Sequence, residues 1–137
     1  MDTDNQARLD PRVRLRLAVE VTPGWQGAPR VRMETIDLST NGTALVSPIY
    51  LPLKTQVSVE LKLPPLPDQA AFELKCEAVV VNIEEIGHTR ERWRAGLYFL
   101  NLRQIEHSLL RRFIFGALAA IDGQQPVEAA QGRWRFQ

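Results

Sequence analysis

Along residues 13–21 apolar and polar positions alternate, with Val13, Leu15, Leu17, Val19 and Val21 set against Arg14, Arg16, Ala18 and Glu20. Period two is the signature of a strand with one buried face. TPGWQGAP at 22–29 is dense in turn formers, and a second strand is expected over Arg30–Leu38. Ser39-Thr-Asn-Gly42 turns the chain into a short third strand, TALVS, which Pro48 ends. Thr55–Leu63 alternates again, and PPLPDQ makes a stiff loop. Phe72–Ile83 carries Phe72, Leu74, Cys76, Ala78 and Val80 in phase, a turn at Gly87–His88 follows, and Arg92–Leu102 is the last strand. The period then changes. Leu102, Ile105, Leu109, Phe113, Ala117 and Ile121 recur at three- and four-residue steps, Leu110, Ile114 and Leu118 widen the stripe, and Gly123 is placed to end the helix.

Short strands at regular spacing followed by one helix predict a mainly β fold. The expected architecture is a six-stranded antiparallel β-barrel whose C-terminal α-helix covers one opening. No internal repeat is visible. Residues 1–7 carry no apolar pattern and are expected to be a flexible leader, 8–122 the barrel with its helix, and 123–137 a loose tail that includes Trp134.

Composition narrows the function classes. A length of 137 residues fits one domain, and 45% hydrophobic content can build a core. The net charge of +1 argues against long nucleic acid or an anionic membrane as bulk partner. Only Lys54, Lys62 and Lys75 among the 17 basic residues are lysines, so the positive charge is mostly arginine, the better residue for phosphate and guanine contacts. Cys76 is the sole cysteine and its phase makes it a buried small hydrophobe. The polar start and the lack of an apolar run near the roughly 20 residues of a membrane span point to the cytoplasm, without membrane insertion. His88 and His107 lack acidic or cysteine companions, so no metal site is expected. Ser39 has no nucleophile-elbow sequence, and no P-loop or GxGxxG occurs. No catalytic residue and no cofactor are assigned, and the chain reads as a non-enzyme.

Two elements carry candidate chemistry. Arg8-Leu-Asp-Pro-Arg12 forms RxxxR just ahead of the first strand, and Asp37-Leu-Ser-Thr-Asn-Gly42 forms DxSxxG at the end of the second. Arg12/Arg16 and Arg90/Arg94 also match RxxxR, and Arg8/Arg12 is preferred because Arg14 and Arg16 lie in the strand itself. In order and spacing, with 25 positions from Arg12 to Asp37, these elements resemble the two motifs of the PilZ domain family. WRAGLYF at 93–99 is similar to that family's late strand, a glycine followed by an aromatic, and the arginine-bearing helix is similar too. The resemblance covers about residues 7–120.

The resemblance implies that Arg8, Arg12, Asp37, Ser39 and Gly42 form a surface site for the second messenger cyclic di-GMP. The chemistry is apt. Arginines bridge phosphates, donate to the guanine O6/N7 edge or stack on a base. A carboxylate at Asp37 accepts from guanine N1 and N2, Ser39 offers a hydroxyl, and Gly42 permits positive φ and close backbone approach. Ala7, before the first arginine, leaves open one ligand or a stacked pair. Each of these residues, taken singly, also has a structural explanation as leader or turn.

The expected function is a cyclic di-GMP receptor or adaptor whose arginine segment orders on the barrel and which signals to a separate, unidentified effector protein. The alternative is a protein–protein interaction module of the same fold that ignores the nucleotide. A monomer, or a homodimer through the helix with Phe113, Ile114 and Phe115 in a row, fits either. A third class, a small single-strand nucleic-acid barrel, lacks an aromatic stacking platform.

Overall fold

A computed structural model describes residues 11–124, with side chains through 121. The expectations for the 1–7 leader, for Ala7 and Arg8, and for Trp134 and the rest of the tail beyond 124 lie outside the described residues. Seven strands and one helix occur among the residues described: β1 (Arg12–Arg14), β2 (Ala18–Pro23), β3 (Val31–Ser39), β4 (Gly42–Ser47), β5 (Gln56–Leu63), β6 (Phe72–Glu85), β7 (Trp93–Phe99) and α1 (Gln104–Gln124). Six strands close an antiparallel barrel in the order β3-β2-β5-β6-β7-β4, with β4 pairing back onto β3. No helix among them is long and apolar enough to cross a membrane.

The inward phases were legible. Val13, Leu15, Val19 and Val21, then Val57, Val59, Leu61 and Leu63, then Leu74, Cys76, Ala78 and Val80 are all buried in one core. The first alternating segment, expected as one strand, is two. β1 pairs with 37–39 of β3 and β2 with 31–34 of the same edge. Between them the buried Thr35 stitches the break. Its hydroxyl donates to the Leu15 carbonyl at 2.6 Å and accepts from the Leu17 amide at 2.9 Å, while its own amide donates to the Leu17 carbonyl. Alternation reports which face a residue takes, not which group its backbone bonds, so the split left no trace in the period.

α1 lies over the barrel end that carries the β5–β6 connection. Phe113 meets Phe72 edge-to-face with centroids 6.4 Å apart. The Gln69 side-chain amide donates to the Leu109 carbonyl, and Arg112 donates to the Asp68 carbonyl. Leu110, Phe113, Ile114 and Ala117 are fully buried, whereas Ile105 is 59% exposed. The buried face therefore falls within the expected stripe, from which Ile105 is left out. The row Phe113-Ile114-Phe115 divides between core and surface. Phe113 and Ile114 are used in the core, and Phe115 lies under the Arg111 guanidinium, 5.0 Å from its ring centroid. At the helix start the Arg103 amide donates to Glu106 and the two side chains pair at 3.1 Å. These bonds hold the Glu106 carboxyl below its usual range. Gly123 falls within the helix rather than beyond it.

Burial pushes the Cys76 thiol from 9.0 up to about 12, helped by the nearby carboxylates of Glu106 and Glu77. The folded thiol keeps its proton where an unfolded cysteine loses it, so stability is expected to decline as pH rises above 9.0. Iodoacetamide at about pH 8 should modify Cys76 only after denaturation; rapid labelling of the native protein would contradict this placement. Thr35→Val, which keeps the shape and removes the hydroxyl, should lower unfolding free energy by about 1–3 kcal/mol in urea titration. An unchanged midpoint would show that the stitch contributes nothing.

Candidate functional site

The second motif begins at a fault in the strand. Met33 and Thr35 point inward on β3, and strict alternation would send Asp37 in after them. Instead one residue, Ile36, is inserted opposite β4: Thr35 pairs with Leu45 and Asp37 with Ala44. This β-bulge reverses the phase, so Leu38 enters the core at 0% exposure and Asp37 turns outward. A second bulge lies three strands beyond, on β6, where Val80 pairs with Leu97 and Asn82 with Gly96. The inserted residue, Val81, is exposed. Between the two bulges runs one outward-facing row, Asp37–Ala44–Gly96–Asn82.

The middle of that row, Ala44 and Gly96, underlies a cavity of about 240 Å³ on the barrel wall, lined also by Arg12, Asn41, Gly42, Val81, Arg94 and Tyr98 among others. Its floor is made by Gly42, Ala44 and Gly96, which offer backbone and at most a methyl group. Tyr98 and Val81 stand at the rim, half or more exposed. On the β3 side, Arg12 Nη1 donates to Asp37 Oδ1 at 2.8 Å, and the Ala44 amide also donates to Oδ1, at 3.3 Å. The Asp37 side chain is 13% exposed and that of Arg12 46%. Exposed pairs of this kind contribute roughly 0.2–1 kcal/mol, so the pair holds Arg12 against the wall without locking it there.

Three expectations need correction. Arg12 is not ahead of the first strand but is its first residue, paired with Ser39 across β1 and β3. Gly42 does not use positive φ; among the glycines described only Gly27 and Gly87 do. What Gly42 requires is space. A Cβ there would lie 2.0 Å from the Leu97 carbonyl oxygen, so it allows β4 to close on β7. Ser39 is fully buried, and its hydroxyl is occupied by the turn, accepting from the Asn41 and Gly42 amides and donating to the Gly42 carbonyl. The structure thus brings Arg12 and Gly42 to one cavity, joins Asp37 to Arg12 beside it, and buries Ser39 in the turn. Arg8 lies outside the described residues.

Sequence reasoning did not bring Arg94, Gly96, Tyr98, Ala44 and Val81, which line this cavity, into the candidate site. The signal was present in WRAGLYF, whose alternate members Arg94, Gly96 and Tyr98 share the outer face, but nothing in one sequence says which strand lies beside β4.

The comparisons agree with this architecture. The profile of the PilZ domain matches residues 6–116. The chain belongs to the PilZ domain family. No curated protein matches it by sequence. Among solved structures, the Bacillus subtilis inhibitor of motility MotI/DgrA superposes with a TM-score of 0.68 at 17% identity, over 81% of this chain and 51% of that one. The PilZ domain of YcgR from Escherichia coli, solved with c-di-GMP, gives 0.57 at 19% identity over 84% and 95%. MrkH of K. pneumonia, in its complex with c-di-GMP, gives 0.64 at 16% over 85% and 54%. The chain therefore spans about half the length of MotI and MrkH and nearly all of the YcgR domain. At these identities the likeness is one of fold: a PilZ barrel with an added strand and a C-terminal helix.

The two floor glycines of this PilZ barrel should respond differently to alanine. Gly42→Ala is expected to cost about 3 kcal/mol or more, because backbone blocks the new methyl. At Gly96 a Cβ meets the Asn82 Cβ at 3.2 Å, with no backbone atom nearer than 3.9 Å, and a parting of β6 and β7 by a few tenths of an ångström relieves it. Gly96→Ala should stay within about 1 kcal/mol of wild type. Chemical denaturation checks both, and equal losses would contradict the geometry.

Proposed function

We propose that this PilZ protein is a receptor for cyclic di-GMP that acts through a separate effector protein. The observation that carries the reading is the meeting at 2.8 Å of Asp37 with Arg12, which lines the cavity, from two motifs 25 residues apart. In the proposed complex a guanine lies on the Ala44–Gly96 floor and gives its N1 and N2 protons to Asp37. Arg12 leaves the carboxylate for a phosphate, exchanging one charge-assisted bond for another. Gly42 and Ser39 serve by shape, the first admitting β7 and the second holding the turn. Arg8, four residues before Arg12, supplies a second guanidinium and draws the N-terminal segment onto the ligand, creating the surface that the effector reads. The PilZ domain of YcgR and MrkH, whose structures were solved with c-di-GMP, support the choice of ligand. Nothing in this role calls for catalysis, and the proposed location is the cytoplasm.

Calorimetric titration with cyclic di-GMP tests the reading. The wild-type chain should bind, and Arg12→Ala and Asp37→Ala should each weaken binding about tenfold or more, the worth of one charged hydrogen bond. Wild-type affinity in both variants would remove this cavity as the site. Effector capture that proceeds equally with and without the nucleotide would favour the interaction-module alternative.

A further inference from the structure

We infer that Arg94 reads the base, its guanidinium donating to O6 and N7 of the guanine whose N1 and N2 face Asp37. The inference rests on the receptor reading and adds the residue that makes the site choose guanine.

Charge and burial single out Arg94. Among the described arginines it alone is half-buried; the others are exposed. Arg12, Arg16, Arg30 and Arg103 each hold a carboxylate, Arg111 lies on Phe115, and Arg112 donates to a carbonyl. Arg94 pairs with no carboxylate among the described residues. Its register partner on β6 is Glu84, yet the two make no ion pair. Removing a guanidinium from water without a partner is costly. A cation in that state on a cavity wall is suited to an acceptor arriving from outside.

The strand register supplies the geometry. Asp37, Ala44 and Gly96 form one row, and Arg94 stands two residues from Gly96 on the same outer face of β7. Two strand spacings separate β3 from β7 by roughly 10 Å, and two residues along β7 span roughly 6.7 Å. A purine lying over Ala44 and Gly96 therefore has Asp37 beyond one edge and Arg94 beyond the adjacent one. Guanine presents two donors at N1 and N2 and two acceptors at O6 and N7, and it matches a carboxylate and a guanidinium set this way. Adenine places an amino donor where O6 would be, facing Arg94, and has no N1 proton for Asp37. It is disfavoured at both residues.

The test titrates the full chain and Arg94→Met with three probes: cyclic di-GMP, its 7-deazaguanine analogue, which lacks only the N7 acceptors, and cyclic di-AMP. The wild type is expected to bind cyclic di-GMP about tenfold more tightly than the 7-deaza analogue, and cyclic di-AMP more weakly than either. Arg94→Met should bind cyclic di-GMP more weakly and no longer distinguish it from the 7-deaza analogue. If Arg94→Met loses affinity but keeps that distinction, Arg94 holds a phosphate and the inference is overturned. Wild-type affinity in Arg94→Met overturns it too while the receptor reading stands. A wild-type chain that binds no cyclic di-GMP ends both. Should the variant fold poorly, the wild-type comparison decides alone: equal affinity for the guanine and 7-deazaguanine forms overturns the inference.

Discussion

The site depends on one extra residue in β3. Without the bulge at Ile36, Asp37 would follow Met33 and Thr35 into the core, and Leu38 would face water. A carboxylate buried among leucines and valines is costly, and so is an exposed leucine taken from a filled core. The bulge satisfies both side chains at once. It also decides where β1 docks, since β1 pairs with β3 only from Asp37 to Ser39, beyond the phase change, and that pairing carries Arg12 to the wall. The counterpart bulge at Val81 reverses the phase of β6 at the far rim. The chemistry thus occupies the stretch of barrel between two deliberate faults in alternation.

The pairing of Arg12 with Asp37 has the strength expected of a resting contact. It is open to water on the arginine side, and the carboxylate keeps a backbone donor, Ala44, whatever Arg12 does. Asp37 therefore stays oriented if the guanidinium leaves. Thr43 adds to this by donating its hydroxyl to the Asp37 carbonyl at 2.6 Å. The acidic member of the pair is held rigidly from behind, and the basic member is held by one strand of three residues.

Much of this was legible in the chain. Period two located the strands and their inward faces, since burying one face of a sheet leaves that mark whatever the partner strand. The helix was legible for the same reason, and Leu110, Phe113, Ile114 and Ala117 of its stripe are buried. Ile105 satisfies the spacing as well as they do, and only the barrel end beneath leaves it exposed. The two motifs singled out Arg12, Asp37 and Gly42 as candidates, yet the structural reason for Gly42 lay in Leu97, a residue 55 positions away that no local rule connects to it. Arg94 was visible as one arginine among many. Its standing comes from being partly covered and lacking a carboxylate, and both are properties of the folded surroundings.

The floor of the cavity carries a consequence for how such a protein changes over generations. It is recognised by what it lacks, and a missing side chain can be restored by a single codon. At Gly42 that change collides with backbone and forfeits the fold, so it is closed to drift. At Gly96 the nearest backbone atom lies 3.9 Å away, so a methyl needs only a slight parting of β6 and β7, and it raises the floor. On the proposed reading, the same barrel can therefore lose its guest at Gly96 without losing its fold.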